Sequence, residues 1–144
     1  MVIGADTSFL FSLYSSDSHT PRALAWCRAN TSPIHISVLN RFELLNALRF
    51  AECRKTLPPG QSSSLEALFE NAILQERLIE TPANLADILA EASRLSAAHT
   101  VTGGHRGFDI LHVAAARIMG ATRFLTFDAN QKRLAQNEGL TVPV

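Results

Sequence analysis

Cysteine is scarce in this chain, and its placement excludes two roles. Cys27 and Cys53 lie in separate helix-like segments without metal-ligand spacing. Neither a zinc site nor a disulfide framework is expected, and each reads as a free, buried thiol. Charge of one sign is also lacking: 13 basic and 13 acidic residues leave a formal net charge of +0. That balance argues against a strongly basic nucleic-acid binder. No apolar run approaches the roughly 20 residues of a membrane-spanning helix. The N-terminus has no basic region followed by an apolar stretch. The expectation is a soluble chain in a reducing compartment, the cytoplasm. Glycine is sparse as well. Gly4 alone stands near the first apolar run, which does not supply the glycine-rich turn of a dinucleotide-binding fold.

What is present is an ordinary globular composition, 47% hydrophobic and 18% charged over 144 residues. This predicts one domain, residues 1–144, long enough to bury a core. Short apolar runs alternate with longer helical patterns. Met1 to Ala5, Ile34 to Ile36, Leu78-Ile79, Arg123 to Phe127 and Leu140 to Val142 read as strands. Helices are expected from Thr7 or Ser8 to Tyr14 and from Thr20-Pro21 to Ala29, the latter with proline at its first turn. A long helix runs from a Ser37 cap to about Lys55. Leu57-Pro58-Pro59-Gly60 breaks it, and a returning helix covers Ser62 to Gln75. Asn84 caps a helix to about His99, followed by a flexible loop Val101-Thr102-Gly103-Gly104. Phe108 to Met119 and Ala129 to Asn137 complete the set, ended by Gly120 and Gly139. Strands alternating with helices predict an α/β fold with a parallel sheet.

Four carboxylates occupy the junctions of these elements. Asp6 ends the first strand, Glu43 lies early in the long helix, Asp109 opens a helix and Asp128 follows the fourth strand. In open α/β sheets, function collects beyond the carboxyl ends of the strands, at the topological switch point. If the first and fourth strands are neighbours, Asp6 and Asp128 face one another there. Carboxylates are hard ligands that suit Mg²⁺ or Mn²⁺ better than zinc. Taken singly, each acid has a plainer role: Asp6, Asp109 and Asp128 as helix caps or N-terminal charges, Glu43 as a solvated helix charge. Without these four, 13 basic residues face nine acidic ones, leaving +4 for the rest of the surface. That balance is compatible with a polyanionic substrate.

The four segments resemble the four acidic motifs of PIN-domain nucleases, in order and over essentially the whole chain. They are Asp6-Thr7-Ser8-Phe9-Leu10, Phe42-Glu43-Leu44-Leu45-Asn46-Ala47-Leu48, Phe108-Asp109-Ile110-Leu111-His112-Val113-Ala114-Ala115-Ala116 and Phe124-Leu125-Thr126-Phe127-Asp128. The compact form is most similar to the VapC-type toxins of bacterial toxin–antitoxin pairs. The resemblance implies a PIN-like three-layer sandwich around a central five-stranded parallel sheet of order 3-2-1-4-5. It implies Mg²⁺- or Mn²⁺-dependent cleavage of RNA, with Asp6, Glu43, Asp109 and Asp128 as the catalytic, metal-binding acids. It further implies a homodimer and a small cognate antitoxin. A PIN nuclease of RNA processing and a non-catalytic PIN-like binding module are the alternatives.

Other residues are weighed against the same site. Thr126 shares a strand face with Asp128 and is read either as a hydrogen-bond donor to a carboxylate or as a strand former. Thr7 and Ser8 either support the site or cap a helix. Arg41, His105, Arg106, Lys132 and Arg133 are candidate phosphate contacts or ordinary surface charge. His112, one turn from Asp109, is expected to pack with Phe108 rather than to bind a transition metal. The apolar face of the returning helix (Leu65, Leu68, Phe69, Ile73) closes on the long helix, and in the resembling family such an arm helps seat a partner. Rival α/β chemistries fit less well. A haloacid-dehalogenase phosphatase wants a second aspartate two residues after the first, where Ser8 stands. A receiver domain wants an aspartate after the third strand, where the chain reads Glu80-Thr81-Pro82.

Overall fold

Apolar runs of three to five residues form the sheet of the computed structural model, which describes residues 1–144. The strands are β1 (Val2–Ala5), β2 (Ile34–Ile36), β3 (Leu78–Glu80) and β4 (Ala121–Leu125). The helices are α1 (Thr7–Tyr14), α2 (Thr20–Ala29), α3 (Val38–Cys53), α4 (Gln61–Leu74), α5 (Leu85–Gly103), α6 (Gly107–Ile118) and α7 (Ala129–Asn137). All pairings are parallel and the strand order is β3-β2-β1-β4. The chain leaves β1 toward β2 on one side and later returns as β4 on the other, so the switch point lies between β1 and β4.

Alternation along β4 sends neighbouring side chains to opposite faces. Leu125 joins one apolar cluster with Phe9, Leu10, Leu44, Leu48 and Phe69. Phe124 joins another with Ile88, Leu95, Val113 and Leu134. The sheet is thus flanked by helices on both sides, as expected. Burial of such side chains contributes about 1.5–3 kcal/mol each before conformational entropy is set against it. The alanines of α6 let that helix lie close to the sheet. A Cβ at Gly4 would come within 2.9 Å of the Ala116 Cβ. Gly4 is therefore a close-approach position, and it helps set where Asp109, at the other end of α6, stands.

The expected fifth strand is not formed, and the sheet has four strands rather than five. Leu140–Val142 contributes one parallel bridge, Thr141 to Arg123. Thr141 accepts from Phe124 N at 2.9 Å and donates to Thr122 O at 3.0 Å. Its neighbours have no ladder bond to add. The Leu140 N–H closes the end of α7 on Ala135 O, and Pro143 has no N–H. The loop expected at Val101–Gly104 is also corrected, since α5 continues through Gly103. The helix stops only at Gly104, which takes the left-handed conformation (φ 65°) that glycine adopts without penalty. Cys53, expected to be buried, is exposed at the end of α3. No helix is long and apolar enough to cross a membrane.

Candidate active site

The carboxyl ends of β1 and β4 are tied together by Asp6 N donating to Leu125 O at 3.0 Å. Asp6 and Asp128 follow those strands, and both cap the helices that come next. Asp6 Oδ1 accepts from Phe9 N at 2.9 Å, and Asp128 Oδ1 accepts from Gln131 N at 2.7 Å. The plainer role therefore holds for both, and it orients them. With Oδ1 of each committed to a helix N-terminus, Asp6 Oδ2 reaches Thr126 beyond β4 and Asp128 Oδ2 lies toward Arg106.

Asp6 is 2% exposed. Thr126 Oγ1 donates to its Oδ2 at 2.6 Å, and Ser8 Oγ lies 2.7 and 2.8 Å from its two oxygens. Burial pushes the Asp6 carboxyl up to about 6, against the lowering effect of the bonds from Thr126, Phe9 N and Ser8. Thr126 also accepts from Asp128 N at 3.0 Å, so one hydroxyl links the two aspartates. Of its two expected roles, the supporting one is realised. Ser8 likewise accepts from Phe127 N at 3.2 Å.

Asp109 sits in the first turn of α6, where the helix N-terminus favours negative charge. Arg106 Nε donates to its Oδ2 at 3.1 Å, and Arg106 Nη2 lies 3.8 Å from Asp128 Oδ2. The Arg106 side chain is 79% exposed. Glu43 stands in the second turn of α3, its side chain 32% exposed. Burial pushes its carboxyl up. Hydrogen bonds from His112 and Thr7 outweigh that and hold it below the usual glutamate value.

All four acids line a single cleft of about 600 Å³, together with Thr7, Ser8, Arg106, His112, Phe127 and Gln131. They do not form a ready-made ligand cage: no three His, Cys, Asp or Glu side chains converge closely enough to hold an ion. The donor chemistry nevertheless suits a hard divalent cation, because the cleft offers carboxylate oxygens backed by hydroxyls and no sulfur. The exposed guanidinium of Arg106 already places a positive charge against two of the acids.

A model of the PIN domain matches residues 4–137. The chain belongs to the PIN-domain family. PIN domains are generally metal-dependent nucleases. Among solved structures, FitAcB from Neisseria gonorrhoeae is similar, with a TM-score of 0.67 over 98% of this chain and 96% of that one. At 18% sequence identity this likeness speaks for the PIN fold alone. No curated protein matches the chain.

Two residues that hold the PIN cleft together, Asn40 and Gln131, escaped the sequence, and a third, His112, does more there than the packing expected of it. His112 is buried, with Nε2 3.1 Å from Glu43 Oε2 and 3.2 Å from Thr7 Oγ1. It does more than pack with Phe108, whose ring is tilted 6.0 Å away. Asn40 Nδ2 lies 3.3 Å from His112 Nδ1. Gln131 Nε2 donates to Asp109 O at 3.0 Å, joining α7 to the start of α6. The signal for His112 was present, as a polar residue in the alanine-rich run of α6. Arg41 proves not to be a free phosphate contact. It donates to Glu80 at 2.9 and 2.7 Å and pairs with Glu70. His105 is buried, with Nδ1 lacking a hydrogen-bond partner.

Proposed function

We propose that this chain is a Mg²⁺- or Mn²⁺-dependent endoribonuclease that serves as the toxin of a toxin–antitoxin pair. One observation carries the reading: four acids from four separated sequence motifs line one cleft over the carboxyl edge of β1 and β4. Asp6, Glu43, Asp109 and Asp128 would hold the metal. A bound ion of this kind lowers the pKa of water and neutralises charge at a scissile phosphate. The chain's own residues do the rest. Thr126 and Ser8 fix the buried Asp6, and the caps of α1 and α7 hold Asp6 and Asp128 just beyond the carboxyl ends of β1 and β4. Glu43 is kept ionised by His112 and Thr7. Arg54 and Arg106 add positive charge along the same cleft, suited to RNA phosphates. Within its lining His19 stacks on Phe127, and Phe9 stacks on Phe127 from the core, ring centroids 4.6 and 5.5 Å apart, which fixes the Phe127 ring beside Asp128.

The antitoxin would seat an apolar segment in a second cleft of about 560 Å³ between α1, α2 and α4. Leu13, Leu24, Trp26 and Leu68 line it, with Arg77 as its one charge. Exposed Val38 and Phe42 on α3, and Leu85 and Leu89 on α5, give a homodimer apolar surface to bury. One observation favours the non-catalytic reading: Arg106 already pairs with Asp109 and Asp128, as a partner's arginine would. Incubating the partner-free protein with RNA, with and without Mg²⁺ or Mn²⁺, decides between them. Cleavage that needs the metal and is lost in Asp109→Asn is the expected result. Neither cleavage nor any metal-dependent rise in melting temperature would leave the binding module.

A further inference from the structure

We infer that His112 is a positioning residue: its buried imidazole, held in the Nε2–H form by Asn40, aims that N–H at Glu43 and fixes the glutamate's place in the cleft. The inference rests on the cation-site reading of the cleft, and its test separates the two.

Backbone groups of fixed polarity determine the ring's proton. Ser37 N can only donate, and it lies 2.9 Å from Asn40 Oδ1. Ala5 O can only accept, and it lies 3.0 Å from Asn40 Nδ2. The orientation of the Asn40 amide is therefore settled at both ends. Its remaining N–H faces His112 Nδ1 at 3.3 Å. Nδ1 must accept, so the proton of the neutral ring sits on Nε2. That N–H points at Glu43 Oε2, with the Thr7 hydroxyl beside it.

Glu43 is the acid that needs such a partner. Asp6 and Asp128 are pinned as helix caps. Asp109 has one methylene and sits in the first turn of α6. Glu43 has a longer, more mobile side chain, no backbone donor, and a half-open site beside exposed Phe42. Ordering it costs rotamer entropy that a fixed donor offsets. His112 is 2% exposed and packed from α1 by Thr7 and from α3 by Asn40 and Glu43. It thereby ties the second acidic motif to the third.

Two measurements test this. Imidazole ¹⁵N NMR of the metal-free wild-type chain should show His112 as the Nε2–H tautomer. An Nδ1–H tautomer overturns the inference whatever any variant does. Mn²⁺ affinity, read by calorimetry, is compared in wild type, His112→Gln and His112→Leu. Glutamine keeps a donor near the Nε2 position and should bind within about twofold of wild type. Leucine should bind about tenfold more weakly, the scale of a lost residue that orients a ligand. Both variants should melt lower in chelator, because each leaves the buried Asn40 N–H without its acceptor, so the difference in Mn²⁺ affinity between them is not a difference in folding. If wild type binds Mn²⁺ and the leucine variant binds equally well, this inference falls and the cation site stands. If wild type binds no Mn²⁺, both fall. Should the leucine variant fail to fold, the tautomer and the glutamine variant still decide.

Discussion

Two groups of carboxylates in this molecule are treated in opposite ways. On the back of α5, α6 and α7, Glu91 and Glu138 are saturated with cations. Arg94 donates to Glu91 at 2.7 and 3.0 Å and to Glu138 at 2.7 Å. Arg117 reaches Glu91 at 2.7 Å, and His99 reaches Glu138 at 2.7 Å. In the cleft, four acids share one exposed arginine and several hydroxyls. Hydrogen bonds from Arg94 and Arg117 hold Glu91 down to about 2. Burial pushes Asp6 up to about 6. Charge that is balanced within the chain is structural. Charge left short of cations marks a candidate site, and on the proposed reading it is the charge a divalent ion would meet.

The largest expected consequence is in activity. Asp6→Asn or Asp109→Asn should lower metal-dependent RNA cleavage about a hundredfold or more, the several kcal/mol that a correctly held ion contributes. Glu138→Gln should leave cleavage unchanged. Initial rates on one RNA at saturating Mn²⁺ check this. Equal losses in both groups would erase the distinction between them.

Stability against pH should separate the groups next, because their signs oppose. A carboxyl held at about 2 contributes stability that is complete above the unfolded value of 4.5 and is lost as pH falls through 2. Asp6 does the reverse. With its folded value near 6 and its unfolded value near 3.8, the folded state binds the extra proton between them. Stability then declines as pH rises through that window. In chelator, Asp6→Asn should therefore match wild type near pH 4 and exceed it by roughly 2–3 kcal/mol at pH 7. Denaturant unfolding at the two pH values measures it. Glu138→Gln should instead cost about 1–2 kcal/mol at pH 7, from weakened charge-assisted bonds to Arg94 and His99.

The contrast also explains what was legible in the sequence. Asp6, Glu43, Asp109 and Asp128 stand at element junctions, and strand and helix periodicities place junctions well. The alternation of strands and helices followed, whereas the neighbouring of β1 and β4, and with it the switch point, was implied only by the family resemblance. Thr126 stood out as a candidate donor, but strand alternation is not what places it, because β4 ends at Leu125 and both Thr126 and Asp128 lie beyond it. What stayed hidden depends on who bonds to whom across the fold. Arg41 looked free until Glu70 and Glu80, far along the chain, closed on it. His112 looked like packing until Thr7, Asn40 and Glu43 met it from two other helices. Leu140–Val142 has a strand's composition. Its pairing was decided by where the Leu140 N–H is spent and by the missing N–H of Pro143, which local pattern does not register.

The smallest effect expected is the most specific to the comparison. Arg94 and Arg117 cannot be removed without leaving their carboxylates short of donors. Arg106 can, because its guanidinium is 79% exposed and the acids it touches would be served as well by a divalent ion. On the proposed reading Arg106 and a metal would therefore compete for Asp109 and Asp128. Exposed ion pairs of this kind contribute less than about 1 kcal/mol. Arg106→Gln should accordingly tighten Mn²⁺ binding by about two- to fivefold, a change calorimetry resolves. Arg94→Gln, outside the cleft lining, should leave Mn²⁺ affinity unaltered. Weaker Mn²⁺ binding in Arg106→Gln would mean that the guanidinium organises the acids for the ion instead of standing in for it.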